Sequence, residues 1–162
     1  MTPRAKVTAI ACASLSVVAL LAAPFVEAEA EAASDSASGY QMTAVIDRAR
    51  GKSVLAGDYE SAIERLMGQR RKRFESSNNL CVAYAMTGDF DRADAACADA
   101  LKLSEESHIR RDKAVALSNI GVLKAVGGDL SGARADFSKA LDLSGELSQA
   151  SDNLSLLSSG DA

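Results

Sequence analysis

Thr87-Gly88-Asp89-Phe90-Asp91-Arg92-Ala93 decides how this chain folds, because its pattern returns twice, as Ala56-Gly57-Asp58-Tyr59-Glu60-Ser61-Ala62 and as Gly127-Gly128-Asp129-Leu130-Ser131-Gly132-Ala133. Each copy is Gly-Asp, then a large apolar residue, then Ala three residues on. The glycine can end a helix in a left-handed backbone at no steric cost. The aspartate can cap the next helix by accepting a hydrogen bond from one of its free N–H groups. The large apolar residue enters the packed interface immediately, and the alanine lets two antiparallel helices approach closely. Each phrase therefore predicts a tight turn between two helices, at Gly57, Gly88 and Gly128.

The flanks repeat as well. Leu80-Cys81-x-x-Tyr84 and Ile120-Gly121-x-x-Lys124 precede the turn, while Ala93-x-x-x-Cys97-x-x-Ala100-Leu101 and Ala133-x-x-x-Phe137-x-x-Ala140-Leu141 follow it. Apolar residues spaced by three and four give amphipathic helices. With these residues in place the segments resemble the tetratricopeptide repeat, whose signature is W-x₂-L-G-x₂-Y, then A-x₃-F, then P. The third copy keeps Gly121, Gly128, Ala133, Phe137, Ala140 and Leu141. The second keeps Leu80, Tyr84, Gly88, Ala93, Ala100 and Leu101. The first keeps Gly57, Tyr59 and Ala62 and diverges at Gln69-Arg70-Arg71. Ser77 and Leu117 stand in place of the tryptophan, Cys81 fills the small-residue slot, and the terminal proline is missing. The spacing is irregular too, with extra residues around Glu105–Lys113 that predict lengthened helices or a larger loop.

The resemblance implies an all-α fold, an α-α superhelix of two good hairpins and one degenerate one over residues 40–158. Leu147, Ala150, Leu154 and Leu157 form one apolar stripe on a final helix expected to cap the stack, as solenoid ends require. Upstream, Arg4 and Lys6 precede an uncharged stretch from Val7 to Val26, with small residues behind it. That is the layout of a signal peptide, assigned to residues 1–28 and followed by an Ala/Glu/Ser-rich linker at 29–39. The expected destination is the periplasm or the medium. An uncleaved segment would instead anchor the chain to the inner membrane.

Function follows from the repeats. The resemblance implies that the first helix of each hairpin lines a concave groove, formed here by Asn78, Asn79, Val82, Ala85 and Met86 and by Ser118, Asn119, Val122, Ala125 and Val126. Asn79 and Asn119 recur at matching places and could bond a peptide backbone. The expected partner is a protein or an apolar, extended peptide, with homodimerisation through exposed ends as the alternative. Cys81 and Cys97 sit on inward slots of opposite helices, equally far from the Gly88 turn. They can be a disulfide in an oxidising compartment or two buried thiols. The run Arg70-Arg71-Lys72-Arg73 reads as a solvated helix end or an anion contact. A formal net charge of -4 does not suit sequence-independent nucleic-acid binding. The single histidine, His108, has no other histidine to join it as a metal ligand, and no phosphate loop or G-x-S-x-G motif occurs. The expectation is a binding scaffold without enzymatic activity or cofactor.

Overall fold

The computed structural model describes residues 39–45 and 51–160. The signal-peptide and linker assignments, apart from Gly39, lie outside them. Seven helices follow one another among the described residues. They are α1 (Lys52–Leu55), α2 (Tyr59–Met67), α3 (Phe74–Met86), α4 (Phe90–Ser107), α5 (Arg110–Val126), α6 (Leu130–Leu143) and α7 (Ser148–Gly160). None is long and apolar enough to cross a membrane.

The three Gly-Asp phrases are the turns between α1 and α2, α3 and α4, and α5 and α6. Gly57, Gly88 and Gly128 have φ of 77°, 77° and 87°. At the central turn, Gly88 N–H donates to Ala85 C=O (3.1 Å) and Asp89 N–H to Tyr84 C=O (2.9 Å), using carbonyls the helix end leaves free. Asp89 then accepts from the Arg92 backbone N–H and Asp129 from that of Gly132, each capping the following helix. Asp58 makes no such bond, so the first copy keeps the turn and loses the cap. The extra residues of the longer spacing went into helix. α4 runs on to Ser107, and only His108 and Ile109 separate it from α5. His108 takes the left-handed conformation (φ 58°) that ends α4.

Within each hairpin the seam is small, as the alanines implied. Ala93, Ala133 and Ala140 are completely buried. In the third hairpin Gly121 faces the ring of Phe137 so closely that a Cβ would stand 2.6 Å from it. The equivalent place in the second hairpin, with the same separation of 16 residues, holds the Cys81–Cys97 disulfide, whose Cα atoms are 5.0 Å apart. One crossing is thus closed by a covalent bond and the next by an aromatic ring on bare backbone.

Successive hairpins stack with a consistent asymmetry. Among the described residues the first helices touch one another, α1 with α3, α3 with α5, and α5 with α7, whereas the second helices α2, α4 and α6 do not. The first helices therefore form a continuous inner layer. α7 packs on α6 and α5, burying Leu147, Ala150 and Leu157. The basic run lies in the connection between α2 and α3, with all four cations exposed and Lys72 paired to Asp99 across on α4.

Candidate functional site

The inner layer exposes little of the groove expected from the sequence, because another part of the chain lies on it. Tyr40–Val45 does not begin a helical repeat. It has no regular secondary structure of its own and is hydrogen-bonded across the helices at every second residue. Asn153 on α7 accepts from Gln41 N–H (2.7 Å) and donates to Gln41 C=O (2.8 Å). Asn119 on α5 does the same to Thr43, at 2.7 and 3.0 Å. Asn79 on α3 does it to Val45, at 2.8 Å for both bonds. Each side-chain amide thus offers one acceptor and one donor to one residue's N–H and C=O, as a neighbouring β-strand would. The two-residue step equals the strand repeat. The segment runs from α7 toward α3, against the order of the helices.

These asparagines are rigidly placed. Asn78, Asn79 and Asn119 are fully buried and Asn153 is almost so. Asn119 Nδ2 uses its second hydrogen on Asn78 Oδ1 (2.9 Å), and Asn78 Nδ2 donates to Thr43 C=O (2.8 Å). The middle rung is therefore doubly held and coupled to the neighbouring hairpin. A buried amide without such partners would be costly, so the row requires a main chain in front of it.

The intervening residues bring most of the apolar contacts, and Val45, on the last rung, adds one against the cluster of Phe74, Ala114 and Leu117. Met42 packs against the cluster of Val54, Ala62, Leu66, Val82 and Ala83, against the cluster of Val122, Ala125, Ala133, Phe137 and Leu157, and against a third around Cys81, Tyr84 and Cys97. Ala44 joins the first cluster and Tyr40 the second. Gln41, at a rung position, is exposed.

Asn78, Asn79, Val82, Asn119 and Val122, all read as groove residues, come together under the segment or in the clusters it packs on. Val126, half-buried, joins the second cluster. Ser118 is fully buried, with no hydrogen-bond partner for its Oγ. Met86 belongs elsewhere. As the last residue of α3 before the Thr87-Gly88 turn it is 52% exposed, and it makes none of these contacts. Two contributors escaped the sequence reading. Asn153 was hidden in a stripe read only as a cap, although Asn153-Leu154-Ser155 repeats Asn79-Leu80-Cys81 and Asn119-Ile120-Gly121 as Asn, large apolar, small. Tyr40-Gln41-Met42-Thr43-Ala44 alternates apolar and polar, the period of a half-buried strand.

The geometry offers main-chain recognition. Among the described residues no cluster of His, Cys, Asp and Glu is placed to hold a metal ion. No family model matches the chain, and no curated protein or solved structure matches it either.

Proposed function

We propose that this chain is an exported protein-interaction scaffold of the tetratricopeptide-like kind, whose inner, concave face binds an extended peptide or protein segment through its main chain. One observation carries the reading. Asn79, Asn119 and Asn153, from three successive inner helices, each hold both backbone groups of one residue, two residues apart. Amide side chains arranged this way bind any extended chain, as in β-strand addition, and leave selectivity to the intervening side chains. Periplasmic or envelope residence is supported by the charged and apolar pattern of residues 1–28 and by the Cys81–Cys97 bond, which persists in oxidising compartments.

The test is a titration of the full chain with short extended peptides at millimolar concentration, followed by NMR of the asparagine side-chain amides. Peptides of varied sequence should perturb Asn79, Asn119 and Asn153, and N-methylation at alternate residues should abolish the effect. Perturbation confined to the outer helices α2, α4 and α6, or none, would refute the reading.

A further inference from the structure

We infer that Tyr40–Val45 is a resident ligand that holds the asparagine row closed, and that the foreign segment it gives way to is extended with an apolar side chain at every second position. This rests on the peptide-binding reading and adds its regulation and the class of partner.

Three features support it. The resident is attached to the inner helices by side-chain-to-backbone bonds that any peptide could make, and by Tyr40, Met42 and Ala44 packed against apolar clusters. A replacement needs the same alternation, with its largest demand at the Met42 position, which bridges three clusters. Next, the resident fits imperfectly. Thr43 Oγ1 is buried without a hydrogen-bond partner. Finally, the end of the segment is latched. Gly51 has φ of +82°, and a Cβ there would stand 2.4 Å from Val45 O and 2.9 Å from Asn79 Nδ2. Only glycine lets the chain turn into α1 this close to the last rung.

The covalent tether has a calculable effect. A short linker presents its segment at an effective concentration on the order of millimolar. A free peptide of identical sequence then competes with that concentration, so its half-saturation cannot fall below roughly 1 mM whatever its intrinsic affinity. A foreign partner binding at about 1 μM must exceed the resident's hold by roughly a thousandfold, or arrive when the resident has been pulled away.

The experiment uses the full chain and a fluorescent acetylated, amidated peptide of the sequence Gly39–Val45. Met42→Asp and Ala44→Asp each place a charge where the segment packs against apolar clusters. Both change the resident alone, so the added peptide still meets unchanged helices and asparagines. Circular dichroism and retention of the disulfide check the fold. Wild type should half-saturate at about 1 mM or above, and either folded variant at least tenfold lower. Equal half-saturation in all three proteins overturns the resident-ligand inference while the peptide-binding reading stands. No saturation in any of them, with the Thr43 amide exchanging freely in the variants, overturns both.

Discussion

Replacing Asn119 by aspartate probes the middle rung with almost no change of shape. Asn119 accepts from Thr43 N–H and donates to Thr43 C=O and to Asn78 Oδ1. A protonated carboxyl keeps the acceptor and one donor, so it still matches a peptide unit. An ionised one places charge, fully buried, against two acceptor oxygens. Losing buried hydrogen bonds and leaving their partners unsatisfied costs about 3 kcal/mol, equivalent to roughly two pKa units. The ceiling on the stability loss is the free energy of docking Tyr40–Val45, since the segment can leave. The folded-state pKa of the new aspartate should rise from about 4 to about 6. Linkage sets the sign. The penalty is full above the raised pKa and fades as pH falls through it toward the unfolded value. Thermal unfolding of wild type and Asn119→Asp from pH 7.5 to 4 should show a gap that begins to narrow near pH 6 and is half closed near pH 5. A gap that stays constant or widens on acidification would refute the bidentate geometry.

Reduction of the Cys81–Cys97 bond reopens a loop of 16 residues and should lower stability by about 3 kcal/mol. Denaturant melts with and without reductant measure this, and thiol counting on the denatured, unreduced protein should find neither cysteine free. Gly121→Ala should destabilise by about 1–2 kcal/mol despite alanine's better helix propensity, because fully buried Phe137 has nowhere to move. An unchanged melting temperature would show that the crossing has room for a methyl group. Asp89→Ala and Asp129→Ala should lower the melting temperature, and Asp58→Ala should leave it unchanged, since only the first two cap a helix. The Arg92 side chain beside Asp89, and the Gly132 N–H at Asp129, hold these carboxyls below their ordinary range. Their stabilisation should therefore be full above the usual carboxylate range, decline as pH falls through it, and be gone below the lowered folded-state values.

The helical hairpins were legible because their signal is local. A glycine, a cap and an alanine within seven residues report backbone conformation and seam width together. Asn79 and Asn119 could be picked out because the repeats align them. Asn153 is less legible, because the apolar stripe of Leu147, Ala150, Leu154 and Leu157 accounts for its helix without it. Tyr40–Val45 is a different matter. Its alternation announces a strand, yet nothing local says which surface it meets, and Gln41 is bonded 112 positions away. The Asp58 cap failed for the opposite reason, since the right residue at the right place made no bond.

The spacing of the asparagine amides also fixes what kind of ruler this surface is. Sliding an occupant by one residue would turn its apolar side chains to the wrong side, but sliding it by two restores every backbone contact, so register depends on side-chain fit alone. Proline, lacking an N–H, is excluded from the gripped positions and tolerated between them. On the proposed peptide-binding reading, sequences that share this parity and a large apolar residue at the Met42 position can share one seat.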